Sequence, residues 1–303
     1  MNDAKARRWF APRNRSETIA GLLFVLPALI GFFVFVAGPM IATVVISLMK
    51  YDLLSPPKFV GLANFQKLWS DPRLWKVFGN TALFAVFAVL GNVGFGVVLA
   101  VLLNRKMPAA LRYIYRAAYF FPSLVGLIFV AVIWQFLFQK DIGIINHYLR
   151  QLGIGPIGWL SSPNVALISV IILDVWKNVG FAMLIAMAGL QSISSEYYEA
   201  AKIDGASAFR IFWQITIPLL SPTILFLVTM NTIGAFKVFE SIVVLTNGGP
   251  GDATRSLVMY IYEQGFKSLN MGYASAISLL LLVVIVIVTA IQFLLSRKWA
   301  FYE

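Results

Sequence analysis

Long runs of apolar residues alternate with short polar segments along the whole chain, and the run lengths predict membrane-spanning helices. A bilayer core of about 30 Å requires about 20 helical residues. The runs that reach this length are 19–46, 77–103, 113–138, 165–190, 219–245 and 273–296. Residues 1–18 and 297–303 are polar, basic terminal segments. The pattern therefore predicts an all-α integral membrane protein with six transmembrane helices.

Prolines and glycines refine this picture. Pro27 and Pro39 are expected to kink the first span or end its regular part, and Pro122 to interrupt the third, because proline removes a helical hydrogen bond. Lipid-embedded helices associate by packing small residues, so a group of glycines in the second span predicts close contact with a neighbour. These glycines are Gly91, Gly94 and Gly96.

The composition excludes a soluble domain, since 60% of the residues are hydrophobic and only 12% are charged, about half the usual charge. The chain has a formal net charge of +11, which by itself would suggest nucleic acid. Basic residues, however, gather beside spans on the cytoplasmic side. A modest majority lie at the termini, in the 104–116 turn and in the 191–218 loop, so these segments are predicted to be cytoplasmic and no nucleic-acid partner is expected.

One polar island between apolar runs stands out, and it reads EAAKIDGASAFRIFWQITIP over residues 199–218. Ser194 or Ser195 is placed to cap a helix that contains Glu199. Gly205 favours the left-handed turn that ends a helix. Aromatic residues at helical spacing then predict a second short helix that ends at Ile217 and Pro218. By pattern alone, this stretch also fits an interfacial amphipathic hairpin that merely joins two spans.

The same phrase resembles the EAA loop of permease subunits of ATP-binding-cassette importers. The residues that carry the match are Glu199, Ala200, Ala201, Asp204, Gly205, Ile217 and Pro218. In that family the loop forms a coupling helix that docks into a groove on a cytoplasmic ATPase. Flanking segments look like the carbohydrate-importer branch, of maltose or glycerol-phosphate type. These segments are 59–65, 174–177, 188–191 and 245–250.

The resemblance implies a type I importer permease fold, with residues 19–296 as the transmembrane permease domain in a bacterial cytoplasmic membrane. It also implies several partners: a second homologous permease, two ATPase subunits, and a periplasmic or extracellular substrate-binding protein. The chain has no Gly-rich loop ending in Gly-Lys-Ser/Thr, so ATP and magnesium are expected on the partner ATPases. It has no cysteine and a single histidine, His147, so no metal, cofactor or catalytic residue is predicted.

Charged residues within spans are costly and are functional candidates. Asp174 and Lys177 are three residues apart on the fourth span, and Lys237 and Glu240 repeat this spacing on the fifth. Each pair is expected either to form a structural ion pair or to face the translocation path and bind substrate hydroxyls. Further candidates for that path are Trp176, Asn178 and Asn231.

The leading hypothesis is a permease subunit that moves a sugar, oligosaccharide or polyol from a binding protein into the cytoplasm by alternating access. The same mechanism with glycerol phosphate or a phosphodiester as cargo is the main alternative. An ion-coupled secondary transporter, a membrane enzyme and a non-transporting assembly scaffold are further rivals. The sequence does not identify the substrate.

Overall fold

The computed structural model describes residues 15–105 and 107–299, with side chains from residue 19 onward. Of the basic terminal segments predicted at 1–18 and 297–303, residues 1–14 and 300–303 lie outside the described residues, as does Lys106.

The described chain is mostly helical. The helices are α1 (Arg15–Phe32), α2 (Gly38–Ser47), α3 (Ala63–Ser70), α4 (Pro72–Leu103), α5 (Ala109–Leu124), α6 (Leu127–Leu137), α7 (Ile144–Gln151), α8 (Pro163–Gln191), α9 (Ser195–Ile203), α10 (Ala208–Ile211), α11 (Ile217–Leu219), α12 (Ser221–Phe236), α13 (Glu240–Leu245), α14 (Leu257–Tyr262) and α15 (Met271–Ser296). Single π-helical turns occupy Phe33–Ala37, Phe212–Thr216 and Glu263–Lys267. Two short strands, β1 (Met49–Lys50) and β2 (Lys58–Phe59), pair antiparallel.

Four helical stretches in the described chain are long and apolar enough to cross a membrane unaided: Ile19–Ser47, Pro72–Leu103, Pro163–Gln191 and Met271–Ser296. Two further candidates are bent pairs. Helices α5 and α6 meet at 100°, and Ala208–Leu219 meets α12 at 68°. The count is therefore four to six, which reaches the predicted six when each bent pair is one span.

Three span boundaries differ from the hydropathy pattern. Helix α4 begins at Pro72, because the Asp71 carboxylate caps it by accepting hydrogen bonds from the amides of Arg73 (3.0 Å) and Leu74 (3.2 Å). The third span does not break at Pro122, which lies inside α5; the chain turns at Val125 and Gly126, whose backbones are extended. The predicted single helix over 219–245 is also wrong, since α12 ends at Phe236.

Helices α4 and α8 form the centre of the bundle, and glycines set their separation. A Cβ added at Gly91 would lie 2.6 Å from Val175 Cγ2, and one added at Gly96 would lie 2.7 Å from Ala182 Cβ. These two glycines therefore make the predicted close approach, since a side chain at either would force the helices apart. Gly94 has no heavy atom within 4 Å of such a Cβ, so it plays no part in this contact.

The bundle has two distinct ends. At one, which we call the network end, Asp71 accepts hydrogen bonds from the hydroxyls of Tyr273 (2.6 Å) and Tyr260 (2.7 Å). Burial opposes ionisation of Asp71, but the hydrogen bonds from Tyr273 and Tyr260 outweigh it and hold the pKa of this carboxyl below its usual value. Arg73 also reaches Asp252 (2.7 Å). The network ties the start of α4 to residues 252–273, which are largely helical.

At the opposite end, which we call the loop end, lie the last residues of α4, α8 and α15. The polar segment 191–218 projects there. Helices α4 and α8 run parallel, since Gly91 contacts Val175 and Gly96 contacts Ala182. The 191–218 loop, which resembles the EAA loop, therefore lies at one end of the bundle, and the Asp71 network lies at the other.

Candidate functional site

The first half of the 191–218 loop is the predicted helix and turn. The Ser194 hydroxyl caps α9 by accepting a hydrogen bond from the Glu196 amide (3.3 Å). Gly205 adopts φ +70°, a conformation that side chains strain. This geometry lets the Ala206 amide reach back to the Ala201 carbonyl (2.9 Å), which closes the helix end in a Schellman-type turn. The cap and the turn predicted from sequence are confirmed.

The second half continues further than predicted. Helix α10 passes through the π turn Phe212–Thr216 into α11, and the bend comes at Leu220, after Pro218. Proline cannot donate the hydrogen bond that a helix requires. The wider turn just before it absorbs this defect, since the Ile217 amide bonds the Phe212 carbonyl instead. Ile217 and Pro218 are half-buried and join the loop to the bundle.

One face of α9 is exposed and carries both charge and apolar surface. Glu199, Ala200 and Asp204 are exposed, and the side chain of Ile203 is 86% exposed. Ala201 is buried, so it packs inward and does not lie on this outer surface. Ile203 is not part of the EAA motif, although its position four residues after Glu199 places it on the same face.

Asp174 and Lys177 do not form the expected ion pair. The Asp174 carboxylate accepts hydrogen bonds from the side-chain amides of Asn92 (3.0 Å) and Asn178 (3.1 Å). Lys177 instead donates to the Ser123 carbonyl (3.2 Å). That carbonyl lies in the last turn of α5, where helical carbonyls have no partner in the helix and attract cations. The break after α5 therefore leaves a free carbonyl at the helix end, and this carbonyl is the hydrogen-bond partner of Lys177 within the span.

Lys237 and Glu240, unlike Asp174 and Lys177, do not lie on the same helix. Lys237 is the residue that ends α12, and Glu240 is the first residue of α13. Both are exposed, and no ion pair joins them among the described residues. Asn231 is half-buried and donates to the Leu227 carbonyl of its own helix (2.8 Å). The prediction that Lys237 and Glu240 share one helix is wrong, because the residues between them are not helical.

Aromatic side chains gather beside this region. The indole of Trp176 is 43% exposed and contacts Trp134 edge-on, with ring centroids 5.5 Å apart. On the next turn of α8, Gly180 lies so close to the Tyr119 carbonyl that a Cβ there would overlap it. The close crossing of α5 and α8 holds Trp176 at the surface of the subunit, beside the partly exposed Lys177.

A family model described as "Binding-protein-dependent transport system inner membrane component" matches residues 92–301, well over half of the chain. The chain belongs to this family. Permease subunits of this family are translocation components and not catalysts, and the active ATPase resides on other subunits. The match includes the 191–218 loop and the candidate path residues on α8, on α12 and at the break between α12 and α13.

The names of similar proteins are consistent with this family assignment. The permease is 37% identical to the probable ABC transporter permease protein YesP of Bacillus subtilis, over 95% of this chain and 94% of that one. It is 36% identical to the trehalose/maltose transport system permease protein MalF of Thermococcus litoralis, over 93% and 95% of the two chains. Both comparisons span nearly the whole permease.

The fold has a counterpart among solved structures. A chain of a bacterial ABC transporter involved in the import of alginate superposes with a TM-score of 0.82 at 23% identity, covering 93% of this chain and 96% of that one. This likeness establishes the type I importer permease fold for the described chain.

Proposed function

We propose that the permease forms half of the membrane channel of an ATP-driven importer that brings a sugar, oligosaccharide or polyol into a bacterial cell by alternating access. The observation that supports this most strongly is the 191–218 loop, which we call the coupling loop from here on. Its capped helix, α9, ends at the left-handed Gly205 and exposes the face of Glu199 and Ile203. The maltose and alginate systems among its relatives support the carbohydrate class.

The loop end is proposed to face the cytoplasm, where ATPase subunits are found. Glu199 then pairs with a basic residue in the ATPase groove, and the apolar side chain of Ile203 enters that groove. Both termini lie on the same side in a six-span topology. ATP and magnesium bind between two ATPase subunits, and their closure pushes on α9. The push is transmitted through Ile217 and Pro218, which attach the loop to α12.

The substrate path is proposed to run along the exposed side of α8 and the α12–α13 break. Trp176 offers an apolar face for a sugar ring, and Lys237 and Glu240 offer groups for its hydroxyls. Lys177 and Asn178 lie on the same stretch of α8. A second homologous permease completes the other wall. Asp174 is a positioning residue in this scheme, because both of its oxygens already accept hydrogen bonds from within the chain.

The cargo is testable by reconstitution. The permease would be assembled with its partner permease, ATPases and binding protein in proteoliposomes, and uptake of labelled oligosaccharides, polyols and glycerol phosphate would be compared. ATP-dependent uptake of a neutral carbohydrate supports the proposal. Uptake confined to glycerol phosphate or a phosphodiester would instead assign the permease to the phosphate-bearing alternative.

A further inference from the structure

A cavity of about 570 Å³ opens at the loop end, behind the coupling helix. Its walls are the last turns of α4 and α8 on one side and the coupling loop on the other. Leu190 and Phe212 contribute apolar surface, and Tyr198 contributes a phenol. Two cations, Arg105 and Lys202, also line it. The volume falls within the usual range of small-molecule sites.

The cavity uses a different face of α9 from the one proposed to meet the ATPase. Tyr198 and Lys202 are four residues apart and therefore lie above one another on the cavity side. Glu199 and Ile203 are likewise four residues apart, but on the exposed face. The helix thus separates an acidic and apolar outer surface from a basic inner one, and an occupant of the cavity would support α9 from behind.

The two cations have no protein counter-charge within the described part of the chain. The ion pairs found there join Arg73 and Arg255 to Asp252 and Glu263, all at the network end. Arg105 and Lys202 take part in none of them, and both side chains are exposed. Two unpaired cations beside an apolar wall complement an anion attached to a hydrocarbon chain.

We propose that this cavity binds an anionic phospholipid, with its headgroup phosphate between Arg105 and Lys202 and an acyl chain against the apolar wall. The inference rests on the proposed cytoplasmic position of the coupling loop. Lipid is favoured over protein because the last turns of two membrane helices form one wall, at the level where hydrocarbon meets headgroups. The cytoplasmic leaflet is anionic and attracts basic residues near its surface.

The bound lipid fills the space between α9 and the ends of α4 and α8. A push on α9 from the ATPase then passes through a packed contact to Leu190 and Val101 instead of collapsing a void. Anionic lipid therefore increases the fraction of ATP hydrolysis that is coupled to transport, although the lipid takes no part in the chemistry.

The test measures lipid retention on the purified complex of both permeases and both ATPases. The complex would be exchanged into nanodiscs of phosphatidylcholine mixed with phosphatidylglycerol, and retained lipids would be identified by native mass spectrometry. Wild type, an Arg105→Gln/Lys202→Gln double variant and a Lys298→Gln control would be compared. Lys298 is exposed at the same end of the bundle but does not line the cavity.

Wild type and Lys298→Gln are expected to retain phosphatidylglycerol in preference to phosphatidylcholine. The double variant should bind it about twenty-fivefold more weakly, since each cation near the surface contributes about fivefold. Excess inorganic phosphate should not displace the lipid, which separates a lipid site from a free-anion site.

Three results would overturn the proposal: equal retention of the two lipids by wild type, unchanged retention by the double variant, or complete displacement by inorganic phosphate. Retention by the permease alone that disappears on assembly would also overturn it and would assign the cavity to a protein partner. The measurement needs neither nucleotide nor sugar. A failure of the importer function would appear separately, as absent ATP-dependent uptake even in vesicles that contain phosphatidylglycerol.

Discussion

Asn92 and Asp174 face each other across the α4–α8 interface, with the amide nitrogen of Asn92 3.0 Å from a carboxylate oxygen of Asp174. The contact lies beside Gly91, whose missing side chain lets the two helices approach closely enough for this hydrogen bond. Asn178 donates to the other carboxylate oxygen. A charged residue within a span is thereby held by two amides, and this arrangement defines the helix pair at the centre of the permease.

If Asp174 positions α8 against α4, its loss and that of Asn92 should not be additive. A double-mutant cycle of Asn92→Ala and Asp174→Ala should give a coupling of about 1 kcal/mol, within the range measured for hydrogen bonds between membrane helices. The free energy of unfolding of the full-length permease in mixed micelles supplies the measurement. An Asn231→Ala/Asp174→Ala cycle is the control, because Asn231 bonds only its own helix. Additive losses in the first cycle would show that the contact carries no energy.

Gly205→Val is expected to uncouple ATP hydrolysis from transport. Valine at φ +70° costs about 1–2 kcal/mol. This cost lowers the equilibrium population of the docked geometry of α9, relative to other geometries, by roughly five- to thirtyfold. Binding-protein-stimulated ATP hydrolysis by the complex measures this directly. Gly153→Val is a matched control, since Gly153 has φ +77° and equally open surroundings but lies outside the coupling loop. Equal effects of both substitutions would assign the defect to general instability.

The network end should make stability depend on pH in the acid range. The folded-state pKa of Asp71 lies below its ordinary value of 3.8, so its ionised form stabilises the protein above that value. The contribution is lost as pH falls through the folded pKa. Thermal unfolding followed between about pH 3 and 6 should show wild type losing stability at the acid end. Asp71→Asn should be less stable throughout and less sensitive to acid.

The control for this pH profile is Asp141→Asn, because Asp141 is exposed and its carboxylate accepts no hydrogen bond among the described contacts. It should follow wild type across the whole range. An Asp71→Asn variant that loses stability with acid as steeply as wild type would exclude Asp71 as the responsible group.

Trp176→Ala tests the proposed substrate path. Loss of an aromatic face that stacks on a sugar ring should raise the KM for uptake about two- to tenfold, with little change in ATP hydrolysis measured without substrate. Trp69→Ala is the comparison, since Trp69 is also exposed but lies in α3, away from α8. An unchanged KM for Trp176→Ala would remove this residue from the path.

Hydropathy and local motifs predicted most of the fold, and contacts distant in sequence account for the differences. The Ser194 cap and the Gly205 turn follow from local signals. Asn92 was not singled out, because its partner Asp174 lies 82 residues away. For the same reason the sequence pairs Lys177 with Asp174, the nearest carboxylate, whereas in the structure Lys177 donates to the Ser123 carbonyl at the end of α5.

The early start of α4 was missed for a related reason. Arg73 and Lys76 lower the local hydropathy, yet they lie in the helix that Asp71 caps, where they bond Asp252 and the Gly251 carbonyl across the network end. The break between α12 and α13 likewise depends on tertiary contacts. Val238 and Ile242 pack into one core with Leu173 of α8, a contact that no continuous helix pattern reveals.

The central claim is that conformational changes of the ATPase subunits are transmitted to the transmembrane helices through the coupling loop. Uptake into proteoliposomes with and without the ATPase subunits tests this claim most directly. The account predicts ATP-dependent uptake when the ATPases are present, and loss of both uptake and stimulated hydrolysis with Glu199→Lys. Full-rate uptake by the two permeases alone, with no nucleotide-hydrolysing subunit attached, would contradict it.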